Sequence, residues 1–252
     1  MVVRFLGTGT STGVPEIGCK CEVCTSIDKR DNRLRASVQV RVDDKNIIID
    51  CTPDFRQQTL DLPFQKIDGI LITHEHYDHM GGIDDLRPFS RFGTVILYVE
   101  PNVAQALEMR MPYCFAAHKY MGVPDIALHV IQDLSPFSID GIEIIPIRVM
   151  HHKIPILGYR IRNFAYLTDV KYVPEEEIPK LKGVDTLVLS ALRKKEHLTH
   201  ENLDQAIALS RKINPRMTYF THMSHHMGLH RVTEKQLPPG MFFAYDGLEI
   251  TI

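Results

Sequence analysis

The sequence predicts an α/β or α+β protein folded as one domain over residues 1–252, and three observations carry that expectation. Short β-branched runs alternate with helix-like stretches along the whole chain. No repeat of fixed period and no low-complexity tract interrupts them, which excludes solenoid and disordered architectures. A chain of 252 residues with 44% hydrophobic content is also long enough to bury most of its apolar surface. Taken in order, strands are expected at Val2–Leu6, Val38–Val42, Asn46–Asp50, Gly69–Thr73 and Val95–Val99. Later ones fall at Ile142–Arg148, Gly158–Ile161, Ala165–Thr168, Thr186–Leu189, Met217–Thr221 and Leu248–Ile252. The clearest helix is Glu201–Ile213, with Leu203, Ile207, Leu209 and Ile213 as its apolar face and Asn214-Pro215 as its stop. Loops are marked by Gly7–Pro15, by Met80-Gly81-Gly82 and by Pro238-Pro239-Gly240. Arg110–Pro124 fits no element cleanly and reads as a loop or insertion near the site.

The bulk charge narrows the function classes. A charged fraction of 24% and a formal net charge of -2, with no block of like charge, give no basic tail to grip nucleic acid, so stable nucleic-acid binding is not expected. No apolar run reaches the ~20 residues that span a bilayer, and the N-terminus lacks a signal-peptide pattern, so no membrane partner and a cytoplasmic location are expected. Five cysteines is an odd count, and three of them crowd into Cys19-Lys20-Cys21-Glu22-Val23-Cys24, an arrangement suited to a metal knot in a reducing compartment. Cys51 and Cys114 stand alone and read as small buried hydrophobes.

Chemistry concentrates in Ile70-Leu71-Ile72-Thr73-His74-Glu75-His76-Tyr77-Asp78-His79, where an apolar strand delivers four ligand-type side chains, His74, His76, Asp78 and His79, within six residues. If the strand runs on through His76, its two-residue period puts His74 and His76 on one side, and a turn into a helix brings Asp78 and His79 around the same point. Imidazole and carboxylate are the donors a borderline divalent cation takes. This His-x-His-x-Asp-His pattern resembles the signature of the metallo-β-lactamase superfamily, in its two-metal branch. The resemblance implies a four-layer αββα sandwich with the site along one edge. It extends to the strand and glycine loop Phe5–Pro15, similar to those of phosphodiesterase and tRNA-processing members. Ile47-Ile48-Ile49-Asp50 looks like the strand whose terminal Asp50 hydrogen-bonds the histidine loop.

Further ligands must come from distant segments, because one short motif cannot surround two ions. By resemblance they are supplied by Val149-Met150-His151-His152, by Tyr166-Leu167-Thr168-Asp169 and by Tyr219-Phe220-Thr221-His222. The doublet leaves His151 and His152 both open, His151 being the residue the family pattern selects. The implied assignment holds one cation with His74, His76 and His151 and a second with Asp78, His79 and His222, with Asp169 bridging. The cofactors so implied are two catalytic divalent metals, Zn or Mn. Cys19, Cys21 and Cys24 supply three thiolates toward a tetrahedral site, and His225 follows His222 by three residues. The combination resembles the phosphodiesterase branch that acts on cyclic ribose phosphates in phosphonate degradation. That resemblance implies one structural Zn with His225 as fourth ligand, and covers nearly the whole chain.

His200 precedes the expected helix and resembles the catalytic histidine of phosphodiesterase relatives; the plainer alternative makes it a first-turn residue beside a Thr199 cap. His118, His129, His197, His226 and His230 receive no role, and Lys153, Arg160 and Arg193 could meet a phosphate, although most such residues are simply solvated charges. The expected function is a dinuclear hydrolase cleaving a small phosphodiester, an open or cyclic nucleotide or sugar phosphate. Two cations about 3.5–4 Å apart lower the pKa of a bridging water, whose hydroxide attacks phosphorus. Asp78 and Asp169 then serve the catalysis as ligands, and His200 bonds the phosphate or protonates the leaving oxygen. The alternatives are tRNA 3′ processing, hydrolysis of a thioester, lactone or β-lactam, and a non-catalytic binding module. The chain lacks a basic insertion resembling the arm that grips tRNA. A homodimer is compatible with the resemblance.

Overall fold

The computed structural model describes residues 1–116 and 118–252. Its first sheet is formed by β1 (Val2–Gly7), β2 (Ser37–Val42), β3 (Lys45–Ile49), β4 (Gly69–Leu71), β5 (Val95–Val99) and β6 (Ile126–Val130) in that spatial order. The second runs through β7 (Phe137–Ile139), β8 (Ile142–His151), β9 (Ile154–Ile161), β10 (Phe164–Leu167), β11 (Thr186–Ser190), β12 (Met217–Thr221) and β13 (Met241–Phe243). The last strand, β14 (Glu249–Thr251), returns to pair antiparallel with β1, so among the described residues each sheet has seven strands.

Alternation along the strands produces the layers. In β3, Ile47 and Ile49 point into the core between the sheets, where they meet Leu157, Tyr159 and Tyr166, while Ile48 points to the outer face. That outer face is covered by α1 (Phe55–Thr59), α2 (Tyr77–Met80), α3 (Pro101–Arg110) and α4 (Pro112–Phe115). In β11, Leu187 and Leu189 face the other side, against Leu203, Ala206 and Ile213 of α5 (Leu203–Ile213), while Val188 joins the inner core. Helix, sheet, sheet and helix are the four layers the resemblance implies. Among the described residues no helix is long and apolar enough to cross a membrane.

Topology also locates the site. From β3 to β6 the pairing is parallel, as it is from β10 to β13, so the carboxyl ends of β3, β4, β10 and β12 reach the same edge. Ligand sites of parallel sheets form where such ends leave room between loops.

Several boundaries differ from the expectations. The strand before the histidine loop stops at Leu71 rather than running through His76, so a loop, not strand alternation, presents His74 and His76. Helix α5 begins at Leu203, not Glu201, because Asn202 caps it: its side chain accepts from the backbone N–H of Gln205, whose own side chain accepts from the N–H of Asn202. Thr199 is therefore not the cap. The face of α5 is centred on Leu203, Ala206, Ser210 and Ile213, with Ile207 and Leu209 only partly covered. Arg110–Pro124 contains the end of α3 and all of α4; Ala117 within it lies outside the described residues.

Candidate metal centre

His151, Asp169 and His222, and the supporting Asp50, stand on or just past strand ends, whereas Asp78 and His79 lie in α2. Asp50 follows β3 with φ 66°, Asp169 lies two residues past β10 with φ 54°, and His222 follows β12 with φ 58°. These are left-handed turns, where Asp and His are better tolerated than most side chains but still less comfortable than glycine. His151 ends β8 at the mouth of a two-residue hairpin loop, His152-Lys153, with His152 itself at φ 57°. Just behind α2, a Cβ on Gly82 would lie 1.9 Å from the Thr52 carbonyl, so only glycine permits the close approach there.

Both sheets pin the loop that carries His74 and His76. The Thr73 N–H and hydroxyl donate to the Asp50 carboxylate at 2.8 and 3.0 Å, and the Thr73 carbonyl accepts from Leu157 of β9 at 3.0 Å. One residue earlier, the Ile72 carbonyl accepts from the Tyr159 hydroxyl at 2.7 Å. Each such buried bond is worth about 1 kcal/mol net, and together they fix the loop rather than merely tolerate it.

The structure gathers His74, His79 and Asp169 in one group; Asp78, His79 and His222 in a second; and His151, Asp169 and His200 in a third, the ligand atoms of each lying within 4.8 Å of one another. His76 joins through its ring, with Nδ1 3.0 Å from His74 Nε2. His151, not His152, lies in the cluster. Ring orientation is set from behind: His79 Nδ1 lies 2.7 Å from the Asp50 carboxylate, and His151 Nδ1 3.1 Å from the Asp169 carbonyl. The Nε2 atom of each is thereby left as its remaining ligand nitrogen.

The residues fit a divalent cation. Asp169 Oδ2 lies 3.1 Å from His79 Nε2 and 3.2 Å from His222 Nε2, and Asp78 Oδ2 lies 3.2 Å from His79 Nε2. Yet neither imidazole nitrogen makes a hydrogen bond among the described residues, although both are fully buried. Buried polar atoms without partners are costly, and donors that converge without bonding one another suit a shared cation. Burial disfavours charge on His79, but the carboxylates of Asp78, Asp50 and Asp169 outweigh it and hold the imidazole protonated well above its ordinary range. Burial likewise opposes the charge of Asp169, and the imidazoles of His222 and His79 overcome it. A bound cation would take the place of the protons these groups otherwise share.

His200 faces the same space. Its ring centre is 4.6 Å from that of His151 and 5.2 Å from that of His222, and its Nδ1 lies 3.5 Å from Asp169 Oδ1 without a hydrogen bond. Burial pushes its pKa down to about 3 against the pull of Asp169, so the ring is neutral at ordinary pH. Sequence reasoning missed Lys171, whose Nζ donates to the His197 and His200 carbonyls at 2.8 and 3.4 Å and holds this loop; its place two residues after Asp169 was the available signal. Of the suggested phosphate-binding cations, Arg160 is occupied by the Lys180, Lys182 and Arg162 carbonyls and Arg193 by those of Lys195 and Glu196. Lys153 is exposed.

Cys19, Cys21, Cys24 and His225 form a separate group within the same 4.8 Å limit, with Cys24 Sγ 3.3 Å from His225 Nδ1. Backbone N–H groups of Glu16 and Cys24 point at Cys24 and Cys21 sulfur at 3.4 and 3.5 Å. Cys51 and Cys114 are completely buried.

Comparison with known proteins agrees with this architecture. Residues 45–223 match the family model described as a β-lactamase superfamily domain. A crystal structure of a diphosphatase from the PhnP family superposes with a TM-score of 0.92 at 41% identity, covering 100% of this chain and 97% of that one. Zn(2+)-bound PqqB from Methylobacterium extorquens superposes at 0.80 with 18% identity, full coverage of both chains, and shares the fold. An octanoyltransferase of Porphyromonas gingivalis is 43% identical over 98% of this chain and 51% of its own length, so the chain spans about half of that relative. A family model matched across most of the chain, and a solved relative aligned over almost its full length, place this protein in the metallo-β-lactamase superfamily, with the PhnP family among its resemblances.

Proposed function

We propose that the chain is a dinuclear metal-dependent hydrolase of small phosphoric esters or anhydrides, a phosphodiester or a substituted diphosphate. The observation that carries this is the convergence of His79 Nε2 and His222 Nε2, both without a hydrogen bond among the described residues, on the Asp78 and Asp169 carboxylates beside the ring of His200. His74, His76 and His151 would hold one cation, Asp78, His79 and His222 the other, with Asp169 shared. Such ions, Zn or Mn, supply Lewis acidity and a nucleophile at neutral pH. The diphosphatase neighbour supports phosphoryl chemistry.

The chain's own residues do the rest. Asp50 and the Asp169 carbonyl orient the rings of His79 and His151, and Lys171 fixes the loop that aims His200. Neutral His200 has one N–H to donate as a hydrogen bond to a phosphoryl oxygen, on which charge builds in the transition state. Cys19, Cys21, Cys24 and His225 would hold a structural Zn that ties the N-terminal loop to the end of β12. Acyl transfer, for which the P. gingivalis relative is named, we assign to the half of that protein this chain does not match. In this chain Cys51 and Cys114 are buried and the other three cysteines lie in the thiol cluster. A cytoplasmic location suits those free thiols.

The test is hydrolysis of bis(p-nitrophenyl) phosphate by metal-quantified protein, with a β-lactam and a thioester as controls. His200→Ala is expected to lower kcat by about 10²–10⁴-fold while both catalytic ions stay bound. Turnover of the thioester or β-lactam but not the diester would sink the proposal.

A further inference from the structure

The strongest feature outside the ligand cluster lies on its rim. Arg110 is the last residue of α3, and its NH1 donates to the Glu75 carbonyl at 2.6 Å. That carbonyl belongs to the peptide between Glu75 and His76, so the guanidinium sits against the loop that presents His74 and His76. Asn102 of the same helix donates to the Glu75 carboxylate at 2.9 Å, which draws that acid onto α3. Just beyond Arg110 the chain is anchored by buried Cys114 and by the Tyr113 hydroxyl, which donates to Asp84 at 2.7 Å.

Arg110 is exposed, and among the described residues it has no carboxylate partner. Arg35, Arg87, Arg148 and Arg216, by contrast, each pair with an Asp or Glu. One of its N–H groups is spent on Glu75. The remaining donors keep the planar fork that matches two oxygens of a phosphate.

We infer that Arg110 determines specificity by binding a second anionic group of the substrate, adjacent to the phosphorus under attack. This rests on the phosphoryl-hydrolase reading of the centre and narrows it. The preferred class is a small organic diphosphate, or a phosphodiester with a further phosphate, over a compound with a single phosphate. The alternative is that Arg110 only braces the histidine loop.

Calorimetric binding of α,β-methylene-ADP and of AMP to the metal-loaded protein separates the two. Wild type is expected to prefer the two-phosphate ligand. Arg110→Ala should reduce that preference about tenfold, the scale of one charge-assisted contact. Arg110→Lys should keep part of it, a point charge without the fork, and Lys153→Ala should leave the ratio unchanged. Equal weakening of both ligands in Arg110→Ala would mean a brace and overturn the inference. So would an unchanged ratio, a ratio carried by Lys153, or a wild type without the preference. Failure of the underlying reading shows elsewhere, as turnover of neither a phosphodiester nor a substituted diphosphate by the wild-type protein.

Discussion

Two clusters of ligand-type side chains meet the chain three residues apart, at His222 and His225, and they are built on opposite principles. In the first, His74, His79, Asp169 and His222 are all at most 2% exposed and stand past strand ends, on a loop tied to both sheets or in the short α2, and the rings of His79 and His151 are set by Asp50 and by the Asp169 carbonyl. In the second, Cys21 is exposed, Cys19 and Cys24 are half-buried, and the segment that bears them has little regular structure before β2. Burial and hydrogen bonds with Asp50 organise the first before any ion arrives. The second has only N–H to sulfur contacts, and there a bound ion would itself be the organiser.

The comparison can be broken at several points. The largest effect is expected from Asp169→Ala, which removes the carboxylate proposed to be shared by the two catalytic ions: activity on the diester is expected to fall by about 10³-fold or more. Metal analysis should then show loss at the catalytic centre with the thiol site still filled. Loss of the thiol-bound ion as well would mean that the clusters are one cooperative unit.

Cys21→Ser is expected to act in the opposite sense. It should remove one equivalent of metal and lower Tm by about 5 °C, because folding there depends on the ion, with less than a tenfold loss of turnover. A melting temperature that does not move would show that the fold holds this loop unaided.

The smallest effect concerns Glu201, beside His200 on the wall of the buried centre. Its Oε2 has no hydrogen-bond partner among the described residues, and burial pushes its pKa up from 4.5 to about 8 against the pull of Lys171. The folded state therefore holds this proton more tightly than the unfolded chain. The resulting stability is complete below pH 4.5 and is lost as pH rises to about 8. Thermal melts between pH 5 and 8 should show a decline that Glu201→Gln flattens. A decline of equal slope in the variant would place its origin elsewhere.

How much of this was legible follows from how local each signal is. The histidine loop announces itself because four ligand-type residues fall within six, and Val95–Val99 and Met217–Thr221 read correctly because buried parallel strands are apolar on both faces. Helix α3 went unseen because Pro101–Arg110 has no sharp apolar stripe, and β7 and β13, of three residues each, are too short to show a period. The Asn202-x-x-Gln205 box is present in the sequence, and only the plainer alternative for His200 set a cap at Thr199. The contact between Arg110 and Glu75, 35 residues apart, depends on how α3 docks, and no local pattern encodes that.

The left-handed turns at Asp50, Asp169 and His222 have an evolutionary corollary. At all three positions the backbone would be easier with glycine, while the proposed ligand and its support require a carboxylate or an imidazole. Selection for folding and selection for catalysis therefore pull apart there. In a gene copy released from catalytic duty, substitution by glycine at these sites would relieve backbone strain while disarming the centre, and decay of the activity would meet less resistance from the fold than mutation elsewhere in the core.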